Sequence, residues 1–186
     1  MTARRKSGGS DVRYYEAQDT IAQFDRIADD LTRDLQKSQP GSDITITAKE
    51  LATFTHGLQQ FQEDVLGTSN AQLIPNAPAR IPAKIFRTDT ITSGSPIYKA
   101  LKAAYEFRQT QGWRRWDFAS VSKRQQHLSL VSHIRKELVS QNLIKNPVVA
   151  FDDTIDKEDL EKLGAIVVRM GGKVLLSIFL LFASIC

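Results

Sequence analysis

Residues 44–67, ITITAKELATFTHGLQQFQEDVLG, change their hydrophobic period after the first four positions. Ile44 and Ile46 alternate with threonines, a short strand-like piece. From Leu51 onward the apolar side chains fall at Phe54, Leu58, Phe61, Val65 and Leu66, the threes and fours of one helix face. Thr47 with Glu50 three positions later is a capping-box pattern, and Gly67 is a stop. A helix with one apolar stripe must bury it on another such stripe, and the neighbouring segments supply them, so the expected fold class is mainly α.

Upstream, from Asp19 to Lys37, Ile21, Phe24, Ile27, Ala28, Leu31 and Leu35 form a second stripe, capped by Asp19 or Thr20 and ended by SQPGSD (38–43). Downstream, residues 68–94 hold Pro75, Pro78 and Pro82 and read as an extended connector, within which RIPAKIF (80–86) suits an irregular arm or short strand. Ser95 and Pro96 start a third helix with Ile97, Leu101, Ala104, Tyr105 and Arg108 along one side, and Gly112 terminates it. Ser120 or Ser122 opens a fourth, with Leu128, Val131, Ile134, Leu138 and Val139 inward, running to about Gln141.

At Asn146 the pattern changes. NPVVAF (146–151) is a short β-type run, Asp156 caps a helix to about Met170, and Gly171-Gly172 precedes a second run from Lys173. Strand, helix, strand is the opening of an α/β unit. Val174 to Cys186 is almost wholly apolar but far short of the roughly 20 residues that span a bilayer. That tail reads as a segment outside the fold, with a buried strand as the other reading and a membrane anchor as a distant third.

The chain has 186 residues, 41% hydrophobic and 25% charged, ordinary for a soluble protein. Cys186 is its single cysteine, so no disulfide can form within it. Residues 1–11 form a polar basic tail without the apolar core of a secretory signal. The net charge of +4 is unevenly spread: residues 14–79 carry ten acidic and four basic side chains, whereas residues 80–136 carry twelve basic and three acidic. Either these halves pack on one another or the basic middle faces an acidic partner.

Chemistry-bearing groupings are few. No Ser/His/Asp set, glycine-rich phosphate loop or Cys/His spacing occurs, so neither catalysis nor a cofactor or metal is expected. His56 sits beside the stripe of its helix, and His127 and His133 are six apart, on different helix faces. Asp152, Asp153 and Asp156 lie at a strand end and helix N-terminus, where acids stabilise the helix.

One stretch stands out. GWRRWDF (112–118) places Arg114 and Arg115 between Trp113 and Trp116, with Lys123 and Arg124 close behind. Arginine among aromatics can stack on bases and clamp phosphates. A turn between two helices equally suits Trp113 and Trp116 as structural anchors, one buried and one half exposed, with the arginines facing Asp117, solvent or a partner.

Four segments together resemble one family: RYYEAQDTIAQFD (13–25), LQQFQEDVLG (58–67), IPAKIF (81–86) and AAYEFRQTQGWRRWDF (103–118) look like the N-terminal module of the SMARCC/Moira type of SWI/SNF chromatin-remodelling scaffold subunits, the likeness running from about residue 12 to residue 173. The resemblance implies a MarR-like winged-helix domain over residues 12–141. After it would come an incomplete BRCT-like β-α-β unit over 146–174, without the chromodomain-like insert or the later SWIRM, SANT and coiled-coil regions, as in a truncated product. It further implies a nuclear, non-enzymatic scaffold whose partners are other remodeller subunits, with direct DNA or nucleosome contact through residues 80–136 as the alternative. Asp152 and Asp153 after the first strand would repel phosphate, so no phosphopeptide binding is expected.

Overall fold

Thr47 caps the central helix as its spacing requires: its hydroxyl accepts from Glu50 N at 3.2 Å, and the Glu50 carboxylate accepts from Thr47 N at 2.9 Å. The protein is represented by a computed structural model that describes residues 12–38, 44–67, 74, 77–89, 91–152 and 154–175. The readings of the basic tail, most of the 38–43 break, Asp153 and the apolar segment 176–186 lie outside the described residues.

Among the described residues six α-helices follow in chain order: α1 Val12–Glu16, α2 Gln18–Ser38, α3 Ala48–Leu66, α4 Pro96–Thr110, α5 Arg124–Ser140 and α6 Lys157–Arg169. The strands β1 Val148–Ala150 and β2 Lys173–Leu175 flank α6 and pair in parallel, Val148 opposite Lys173 and Ala150 opposite Leu175. The fold is mainly α, as expected. The extended piece 44–47 pairs with no strand among the described residues; Ile46 is buried and its N–H bonds to Thr32 Oγ1 at 3.2 Å. RIPAKIF docks as an arm with a 3₁₀ turn at Ala83–Phe86, burying Ile81, Ile85 and Phe86. The described residues of the helical body contain no β-hairpin of the kind that forms a wing.

The stripes read from the sequence build one core: Phe24, Ile27, Leu31 and Leu35 of α2, Leu51, Phe54 and Leu58 of α3, Ile97, Leu101 and Ala104 of α4, and Leu128, Val131, Ile134 and Leu138 of α5. Each fully buried large side chain contributes roughly 1.5–3 kcal/mol relative to exposure. Short α1 lies against α3: Tyr15 is buried, its hydroxyl accepts from Gln59 Nε2, and its ring stands 6.0 Å from that of His56. Ser120 and Ser122 do not open α5; a 3₁₀ turn at Val121–Lys123 precedes it.

The acidic and basic halves do pack on each other. Asp34 of α2 accepts from the Tyr98 hydroxyl at 2.9 Å and from Lys102 Nζ at 3.3 Å, both on α4. The Tyr98 hydrogen bond and the lysine hold the Asp34 carboxyl below its ordinary value. Arg80 pairs with Glu63 across the same divide, whereas Arg87 pairs with Asp89 inside the basic segment. Asp156 caps α6 by accepting from Asp159 N at 3.0 Å, and Asp152 accepts from Thr154 N at 2.9 Å, so these two acids serve local structure.

The β-α-β unit stands apart from this core. Val167 is its only buried hydrophobic residue among those described, and it does not join the main cluster. Arg135 of α5 bridges the unit and the body, donating to Arg80 O at 2.8 Å, Asn146 Oδ1 at 2.8 Å and Met170 O at 2.9 Å.

Candidate functional site at the tryptophan–arginine corner

Gly112 makes the corner. It follows Gln111, the last half-helical residue of α4, at φ +66°, a left-handed conformation that glycine takes without steric cost. Gly112 N donates to Gln109 O and Trp113 N to Arg108 O, each at 3.0 Å, the paired bonds of a Schellman closure. The chain therefore turns back, and the Trp113 ring meets Phe107 of the preceding turn edge-on at 5.5 Å.

Arg108 pins the returning segment. Its guanidinium donates to Trp113 O at 3.0 Å and to Arg114 O, and lies 5.3 Å from the Trp116 ring centre. Trp116 packs on Phe54 at 4.4 Å and lies parallel to Phe118 at 6.1 Å. Phe118 comes close to α3 because position 57 is glycine: a Cβ there would stand 2.8 Å from its ring. Burial pushes the Tyr105 hydroxyl up to about 12, while the Trp116 indole N–H beside it pulls the other way without closing a good hydrogen bond.

Trp113 and Trp116 are both half-buried, against Phe107 and Phe54 respectively, instead of dividing into one buried and one half exposed. The cations separate. Arg114 and Arg115 are exposed, form no ion pair among the described residues, and rim a depression of about 480 Å³ floored by Phe54, Trp116 and Phe118, where Lys49 joins them. Lys123 instead pairs with Asp117 at 3.5 Å. Arg124 lines a different depression on the other side of Phe118. Lys49 was not legible as a site residue: it lies more than sixty positions from Arg114 in the sequence, and α3 alone brings it there.

His127 ends in the wall of this corner, 1% exposed, with Phe61, Trp113 and Phe118 rings 5.4, 5.6 and 4.9 Å away and Nδ1 without a partner among the described residues. Burial pushes the imidazole below its ordinary value of 6.5; Lys123 adds to this and Asp117 opposes it. The unfolded chain thus binds a proton that the folded one refuses, so stability falls as pH drops below about 6.5. Urea unfolding at pH 7.5 and 5.5 is expected to give a lower free energy at the acid pH, with a slope no steeper than about 1.4 kcal/mol per pH unit from this one proton, and His127→Gln is expected to flatten it. An unchanged slope in the variant sinks the assignment. Asp34, Asp89 and Asp152, all held below the ordinary 3.8, do not titrate in this window.

His133 packs against Phe107 at 5.1 Å, away from His127's cage, and no cluster among the described residues has the makeup of a metal site. What the corner offers is a shaped apolar floor with unpaired positive charge beside it, an arrangement suited to holding a partner.

Residues 4–144 match the family model described as a SWIRM-associated domain at the N-terminal. The match spans three quarters of the chain, takes in the corner and all five helices of the body, and ends before β1. On that match the chain belongs to the SWIRM-associated domain family of SWI/SNF-type chromatin-remodelling subunits.

Proposed function

We propose that this chain is a non-enzymatic interaction module of a SWI/SNF-type chromatin-remodelling complex, working in the nucleus as a scaffold between subunits. The family match over the helical body carries the reading. ATP hydrolysis is then the work of another subunit, and this chain contributes surface. A MarR-like ancestry for the body and a BRCT-like one for the β-α-β unit belong to the same proposal; the parallel β1–β2 pair across α6 supports the second. No phosphopeptide binding is proposed, since the exposed Asp152 carboxylate beyond β1 repels phosphate. No helix among the described residues is long and apolar enough to cross a membrane.

A tagged copy of the chain, purified from nuclear extract, is expected to bring identified remodeller subunits with it. Recovery of none of them overturns the reading. Direct DNA binding through residues 80–136 is the second reading, favoured by the exposed Arg114, Arg115 and Arg124. It requires DNA affinity that falls with salt at a log-log slope of about −0.9 per neutralised phosphate.

A further inference from the structure

We infer that the groove beside Trp116 receives an acidic peptide segment that inserts one aromatic or long aliphatic side chain onto the Phe54–Trp116–Phe118 floor. This rests on the interaction role proposed above and names the partner's chemistry.

Charge complementarity is the first argument. Lys49, Arg114 and Arg115 rim the groove and have no ion-pair partner among the described residues. The single carboxylate in its lining, Glu50, is already committed to Thr47, accepting from its N–H at 2.9 Å and its hydroxyl at 3.0 Å. Arg108 stays charged while spending its N–H groups on two carbonyls. Against the one charge of Glu50 stand Lys49, Arg108, Arg114 and Arg115, so the groove is net positive over an apolar floor and favours an incoming carboxylate.

Shape is the second. A depression of about 480 Å³ has room for one or two large side chains, and its depth is set by rigid aromatic packing on α3.

The same observations count against a nucleic acid. A phosphate backbone needs a line of available cations, and the basic segment breaks that line. Arg80, Arg87, Lys102 and Lys123 sit in ion pairs, and Arg124 lies across Phe118.

The experiment uses the full chain and labelled twelve-residue peptides of glutamate and aspartate around one central Phe, Leu or Trp, read by fluorescence anisotropy. A peptide with serine at the centre and a twenty-base-pair duplex serve as comparisons. At least one anchored peptide is expected to bind at micromolar concentration. The serine peptide should bind about tenfold more weakly, and Arg114→Glu with Arg115→Glu should weaken the anchored peptide at least about tenfold.

Equal binding of anchored and serine peptides, no binding of any peptide by about 1 mM, or unchanged binding by the double variant each overturns the inference. So does tighter binding of the duplex that the double variant abolishes, which assigns the groove to nucleic acid. Both arginines are exposed; should circular dichroism show the charge-reversed variant unfolded, Arg114→Ala with Arg115→Ala gives the same reading. Nuclear purification separates the two failures. Remodeller subunits recovered by a chain that binds no peptide leave complex membership standing and the groove refuted. Peptide binding without those subunits supports the groove and refutes membership.

Discussion

Phe54→Ala is expected to lower the unfolding free energy by about 3–5 kcal/mol, a large part of what a domain of this size has. Phe54 is 2% exposed and contacts Tyr105, Trp116 and Phe118 at ring separations of 5.9, 4.4 and 5.8 Å, so it joins α3, α4 and the returning corner at one point. Truncation removes the buried ring and leaves a hole that rigid neighbours fill only partly. Thermal melting followed by far-ultraviolet circular dichroism should show the midpoint falling by roughly 10 °C or more. A fall under about 2 °C means that the aromatic cluster is not the keystone its geometry indicates.

Arg135→Ala is expected to release the β-α-β unit while leaving the helical body folded. Three acceptors from three chain segments converge on this one guanidinium, and the Met170 carbonyl adds the negative end of α6 to the attraction. Burial pushes the group below its ordinary value, and no carboxylate among the described residues pairs with it, so its orientation depends on those carbonyl and amide oxygens. Hydrogen bonds from a charged donor contribute about 1.5–3 kcal/mol each. Amide exchange in β1, α6 and β2 should therefore quicken by about thirtyfold or more, while α2 and α3 change less than about threefold. Uniform acceleration across the chain assigns Arg135 to the core instead of the junction. Arg135→Lys, which keeps the charge without the fork, should fall between the two.

The sequence made helix identity plain wherever a stripe was long enough to declare its period. α3 carried a cap, a stripe and a stop in one run, and α2, α4 and α5 each carried a stripe of at least four core positions. Five-residue α1 has too few turns to show a period, and its helical state depends on Tyr15 packing against Gln59 and His56. The start of α5 moved because Ser122 lies within a 3₁₀ turn and bonds at 3.0 Å to Ser120 just before it, so neither serine caps the helix. At the site, the neighbouring cations could be named but not sorted. Whether Lys123 is free depends on Asp117 turning toward it, and whether Arg114 meets Lys49 depends on how α3 crosses the corner. Those are tertiary facts that no local spacing encodes.

The position of the two tryptophans has a spectroscopic consequence. Trp113 and Trp116 are the chain's only indoles, and both sit in this one corner with ring centres 6.1 Å apart. Intrinsic emission excited at the red edge therefore reports a single neighbourhood and is silent about α2, the proline connector and the β-α-β unit. Trp113 lies 5.6 Å from His127, and protonated imidazole quenches indole, so acidification should dim the signal once the cage admits a proton. Trp116 lies in the floor of the groove and should shift colour when an occupant displaces water. One unlabelled chain thus carries two optical channels, one for the proton and one for the visitor, separable by changing either Trp113 or Trp116 to phenylalanine.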